Sequence, residues 1–152
     1  MNDWWWVSTL AFGISLGTPL VFATLGEIIT ERAGILNLGI QGMMIVSAVA
    51  AFWATDLVGG GTGLLAGVIV AMITGGAVSL IHAFLSISLR VSQIVSGLAL
   101  TLFATGLANF LGNAGSDPLA GQPARATFGP LLEGGIADWP LIGPLILGHD
   151  LM

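Results

Sequence analysis

The sequence predicts an all-α fold: a polytopic transmembrane helical bundle of about four spans, with a broken or re-entrant second element. Three observations predict it. Of 152 residues, 55% are hydrophobic and 7% charged, and mean hydropathy is +0.98, whereas a soluble domain carries roughly 25% charged residues. The charges are also segregated. No Asp, Glu, Lys or Arg falls between Trp4 and Gly26, Ala33 and Thr55, Leu57 and Leu89, or Val91 and Ser116. A spanning helix needs about 20 apolar residues to cross roughly 30 Å of hydrocarbon, and each run is long enough. Finally, glycine-rich or charged stretches separate the runs.

The first span is expected over about 4–29. Trp4, Trp5 and Trp6 stand at its start, and indole rings favour the headgroup layer, so the cluster reads as an interfacial anchor. Met1-Asn2-Asp3 lacks the basic start of a secretory signal, so the run is expected to stay as a helix. Glu27 through Arg32 ends it, and the pair Glu27 and Glu31 near Arg32 reads as a solvated helix end. The second span covers about 33–55. Its opening, Gly34 to Gly42, holds Gly34, Asn37, Gly39, Gln41 and Gly42. Each Gly costs about 1 kcal/mol relative to Ala inside a helix. A break is expected there, with regular helix from about Met43. A glycine-rich turn over Gly59–Gly63 leads into a third span over about 62–86, and a fourth covers about 91–111. Residues 113–138 read as an irregular outer loop, and Trp139 to Met152 as the approach to a further span. The whole reads as one transmembrane domain.

Composition excludes several functions. Cysteine is absent and Lys plus Arg total three against a net charge of −5. No disulfide framework, thiolate metal site or basic stripe for nucleic acid is available. No G-x-x-x-x-G-K-[ST] loop, His-Glu-x-x-His or Ser-His-Asp constellation occurs. The expectation is a non-enzyme without catalytic residues, metal or cofactor, lying in the bilayer as a multi-pass protein. Arg32 and Arg90 fall in the first and third connections, on one face of four alternating spans. The positive-inside rule makes that face cytoplasmic.

Two stripes carry information. Gly63, Gly67, Ala71, Gly75, Ser79 and Ala83 recur every fourth residue along the third span. Small side chains on one face let two helix backbones approach closely in lipid, so this row is expected to pack helices. Gln93, Gly97, Thr101, Thr105, Asn109 and Asn113 form a mostly polar row along the fourth span. Facing acyl chains, their amides would lack partners. The row therefore faces other helices as polar glue, or a hydrated solute path. His82 near a helix end reads as interfacial, and Glu27 as solvated. An intramembrane proton site at either is the alternative.

The stretch Gly26-Glu27-Ile28-Ile29-Thr30-Glu31-Arg32-Ala33-Gly34-Ile35-Leu36-Asn37-Leu38-Gly39-Ile40-Gln41-Gly42-Met43-Met44 resembles a signature of the membrane permease subunits of bacterial ABC importers for simple sugars and nucleosides. These belong to the same broad group as the ribose and branched-chain amino acid permeases. Leu89 to Leu100 is similar to a second family segment, and Ile142 to Asp150 to the lead-in to a further helix. Gln41 stands where the family usually has Glu, and Ser92 where it often has Asn. The resemblance is to the N-terminal half of a longer permease. It implies pairing with a second permease subunit, drive by cytoplasmic ATP-binding subunits, and delivery by an extracytoplasmic solute-binding protein. It also implies residence in the bacterial inner membrane.

On this reading the solute is a nucleoside or simple sugar. Asn37, Gln41, Gln93, Thr101, Thr105 and Asn109 are the expected hydrogen-bonding pathway groups. Two alternatives stand beside it. One is a membrane assembly or scaffold protein whose polar rows only pack helices. The other is a secondary transporter with Glu27 or His82 coupling protons.

Overall fold

The structure, a computed structural model, describes residues 5–113. Trp4, the expected loop over 114–138 and the apolar approach over 139–152 lie outside these residues. No strand occurs among the described residues, and four helices are long and apolar enough to cross a membrane.

Helix α1 runs over Trp5–Arg32, past the expected end near residue 29 because the polar Thr30, Glu31 and Arg32 continue the helix. Its hydroxyls fold back on their own backbone. Thr9 donates to Trp5 O, Thr18 to Ile14 O and Thr24 to Leu20 O, at 2.8–2.9 Å. This is how exposed Thr satisfies itself in a setting without water. Pro19 sits inside α1 and cannot donate to Ser15 O. Trp5 and Trp6 are exposed near its start. Residues 5–25 belong to one compact unit and residues 26–113 to another.

The second unit begins with the end of α1. Its last turn closes with Ala33 donating to Thr30 O and Gly34 to Glu31 O, and Gly34 takes φ +82°. That left-handed geometry suits glycine at a helix C-terminus. Residues 35–39 are not helical. Helix α2 then covers Ile40–Val58, starting three residues before the expected Met43. The earlier start has a local cause: the Asn37 side chain accepts from Gly39 N at 3.1 Å, and Met43 N reaches Gly39 O at 3.1 Å.

Gly59 alone separates α2 from α3, Gly60–Ala83. The expected five-residue turn is thus shorter. Gly59 N donates back to Thr55 O at 2.9 Å while Gly63 N donates to Gly59 O at 3.0 Å. One residue ends one helix and starts the next, at φ +70°. Helices α2 and α3 form an antiparallel hairpin along a glycine seam. A Cβ at Gly63 would lie 2.7 Å from Thr55 O, one at Gly75 2.9 Å from Ser47 Oγ, and one at Gly67 would overlap Thr55 Oγ1.

At its far end α3 widens into a π-turn, Phe84–Ser88, with Leu89 N donating to Phe84 O at 3.1 Å. No Gly or Pro marks this stretch. Arg90 follows with φ +52°, and α4 covers Gln93–Gly112. Helix α4 buries Ser96, Gly97, Leu100, Ala104 and Ala108. Ala104 and Ala108 meet Val46 of α2, with Ile45, Val49 and Val78 around them. The opposite faces of α3 and α4 expose Leu65, Ile69, Met72, Leu102, Phe103 and Phe110. Such a surface suits hydrocarbon or further helices.

Candidate functional site

A chain segment that leaves the helix inside an apolar body must find partners for its N–H and C=O groups. Residues 34–39 find them on side chains from three helices. From α1, Glu27 Oε1 accepts from Asn37 N at 2.9 Å, and Glu27 Oε2 accepts from the Thr30 hydroxyl at 3.3 Å. From α4, Gln93 bridges two backbone groups: its Oε1 accepts from Leu36 N at 2.8 Å and its Nε2 donates to Gly34 O at 3.2 Å. Farther along α4, Thr101 donates to Leu38 O at 2.9 Å. From α3, His82 Nε2 lies 3.2 Å from Leu36 O, and its Nδ1 lies 2.9 Å from Ser96 Oγ.

The close fit rests on two glycines. A Cβ on Gly97 would lie 3.0 Å from Leu38 N and 3.1 Å from Gly39 N, so α4 presses its bare backbone against the break. A Cβ on Gly42 would lie 2.8 Å from Thr101 Cα and 2.9 Å from Ala104 Cβ, so α2 crosses α4 at the same level. Four polar residues are buried among the described residues: Asn37, His82, Ser86 and Ser96. Three bind one another's elements around the break, while the Ser86 hydroxyl, in the π-turn, has no partner among the described residues.

The six residues expected along a pathway thus divide. Asn37, Gln93 and Thr101 are committed to the break. Gln41, exposed in the first turn of α2, and Thr105 and Asn109 farther along α4 make no side-chain hydrogen bond among the described residues. Gly63, Gly67 and Gly75 face α2, with Ala71 and Ser79 partly buried on the same helix.

Two expectations are corrected. His82 is 2% exposed rather than interfacial, because it points at the break that α3 passes. Glu27 is partly buried and hydrogen-bonded rather than simply solvated. Sequence reasoning also missed Ser96, and it placed Gly42 in the break, whereas Gly42 lies inside α2 at the crossing with α4. The Ser96, Leu100, Ala104, Ala108 face lies one residue away from the polar row. In its outer part, size rather than polarity decides which residues touch.

The constellation holds no group of three His, Cys, Asp or Glu able to bind a metal among the described residues. Its chemistry is hydrogen bonding around an unwound segment between membrane-crossing helices. Residues 9–131 match the family described as the permease component of the branched-chain amino acid transport system. The chain belongs to this permease family. The chain is 40% identical over 131 residues to a Haloferax volcanii protein named provisionally as a glucose ABC transporter permease, covering 86% of the chain and 38% of that protein. It is 33% identical over 135 residues to a guanosine ABC transporter permease protein of Bacillus subtilis, covering 84% and 41%. With a nucleoside ABC transporter permease protein of Lactococcus lactis it shares 33% identity over 97 residues, covering 62% and 31%. The chain therefore spans about two fifths of the length of the first two relatives. No solved structure matches it.

Proposed function

We propose that this chain forms part of the membrane-spanning component of an ABC importer that carries a nucleoside or simple sugar inward by alternating access. The observation that carries this reading is the family match over residues 9–131, joined by relatives named for glucose, guanosine and nucleosides. Separate ATP-binding subunits on the cytoplasmic side energise the movement. A second permease subunit completes the membrane pair, and an extracytoplasmic solute-binding protein delivers the solute. The cell membrane of a bacterium is the setting, with Arg32 and Arg90 on the cytoplasmic face.

Within this reading, Gln41, Thr105 and Asn109 line the solute path, since amides and hydroxyls suit uncharged solutes rich in hydroxyl groups. Asn37, Gln93 and Thr101 shape that path by holding the break. Broken elements beside a solute route are common in transporters, where unwound backbone lines a cavity instead of lipid.

The test is uptake by the assembled transporter carrying Thr105→Leu and Asn109→Leu together. Uptake is lost while the permease still assembles with its partners. Undiminished uptake discards the pathway role of these two residues. Solute-stimulated ATP hydrolysis on adding the ATP-binding subunits tests the transporter class itself.

A further inference from the structure

Two of the bonds described above meet at a single group. Asn37 N and Leu36 O are the two ends of one peptide unit. Its N–H donates to Glu27 Oε1 at 2.9 Å, and its C=O faces His82 Nε2 at 3.2 Å. A carbonyl oxygen can only accept, so Nε2 carries the hydrogen, and in neutral imidazole Nδ1 then accepts from the Ser96 hydroxyl at 2.9 Å. The result is an unbroken series: Glu27 carboxylate, peptide, imidazole, hydroxyl. It ties α1, the break, α3 and α4 together in that order.

We propose that Glu27 and His82 act as one positioning unit across the Leu36–Asn37 peptide. A carboxylate on the N–H side polarises the amide and makes its carbonyl a stronger acceptor for the imidazole. Hydrogen bonds in such a series reinforce one another by about 10–30% per bond in a low-dielectric interior. Glu27 Oε1 accepts from Asn37 N at 2.9 Å, which anchors the carboxylate; the Thr30 hydroxyl, whose shorter bond goes to Glu27 O at 2.9 Å, lies 3.3 Å from Oε2. At the other end His82 is 2% exposed, so its ring is held inside the protein where it meets Leu36 O. Neither residue lies on the polar row of α4. Their part is to keep the break in register while α3 and α4 are displaced, not to touch solute. This role rests on the permease reading; the coupling between the two side chains does not.

The experiment has two arms on the full-length permease. In the first, the protein is labelled with 15N-histidine in detergent micelles, and the His82 signals are identified by their disappearance in His82→Gln. The expected spectrum shows the Nε2–H tautomer, with a shift of the Nε2 resonance in Glu27→Gln, which keeps an acceptor oxygen but removes the charge. A His82 spectrum in the Nδ1–H tautomer, or one unmoved by Glu27→Gln, overturns the proposal. In the second arm, uptake by the assembled transporter is measured for Glu27→Gln, His82→Phe and the pair. Each single variant lowers maximal uptake roughly tenfold without raising the apparent KM, and the double variant is no worse than either single, as coupled residues behave. His82→Gln, which retains a donor for Leu36 O, recovers part of the loss. Multiplicative effects of the two substitutions overturn the unit. If the Nε2–H tautomer and its shift in Glu27→Gln are both seen while the parent protein transports neither nucleoside nor sugar, the permease reading fails and the pair stands.

Discussion

Gly42→Ala adds one methyl group where α2 crosses α4, and its effect can be worked from the geometry. The new Cβ would lie 2.8 Å from Thr101 Cα and 2.9 Å from Ala104 Cβ. Neither neighbour is the tip of a flexible side chain, so the helices themselves must part. Carbon atoms rest at ~3.5 Å or more, so the axes separate by ~0.7 Å at this level. Overpacking of this kind costs about 1–3 kcal/mol. The same movement stretches the 2.9 Å bond from Thr101 to Leu38 O, and losing a typical hydrogen bond removes about 0.5–1.5 kcal/mol. Against this, Ala is favoured over Gly in a helix by about 1 kcal/mol. The balance is a destabilisation of about 0.5–3.5 kcal/mol. Gly106→Ala on α4 is the control, because a Cβ there meets nothing within 4 Å. Thermal unfolding of the two variants and the parent in the same detergent gives the answer. Gly42→Ala melts below the parent and Gly106→Ala at or above it. Equal stability of the two variants would refute the close-crossing argument.

Along the α2–α3 seam, Gly63→Ala destabilises more than Gly75→Ala in the same melting assay, because it meets the carbonyl of Thr55 rather than the rotatable hydroxyl of Ser47. Thr55→Ala restores part of the stability lost in Gly67→Ala, the Ala51 carbonyl 3.1 Å away remaining, and leaves Gly63→Ala unrescued, since the Thr55 backbone remains. Gln93→Leu strips partners from Leu36 N and Gly34 O at a cost of about 1–3 kcal/mol, and hydrogen exchange at the Leu36 amide accelerates while exchange in α3 is unchanged. Thr101→Val, which keeps the shape and removes the hydroxyl, lowers stability by about 1 kcal/mol. Thr101→Ser retains the bond to Leu38 O and stays near the parent.

The helices were legible because hydropathy and length decide them: residues bounded by Glu27–Arg32, Asp56 and Arg90 must cross or be buried. The break was legible because Gly34, Asn37 and Gly39 are poor helix interior residues close together. Its partners were less so. Glu27 and Asn37 are ten residues apart and His82 and Leu36 forty-six apart, and such contacts depend on how α1, α3 and α4 meet, which no local pattern encodes. Gln93 and Thr101 stood out by polarity, yet polarity alone left glue and pathway undecided. Their bonds to the break show what they hold. The α4 contact face was hidden for the opposite reason. Ala104 and Ala108 resemble lipid-facing residues in composition, and only their size marks the meeting with Val46. The π-turn at Phe84–Ser88 has no sequence punctuation, since it arises where the chain turns from α3 toward α4 through Arg90.

The single-residue reversal at Gly59 has a practical consequence. It contains no spare chain, so an epitope tag, glycosylation sequon or protease site inserted there must unwind one of the two helices it joins. Reporters of membrane sidedness need another position. The same economy holds Leu57 and Gly61 close together across a single intervening connection, so a pair of probes there reports on the integrity of the hairpin itself.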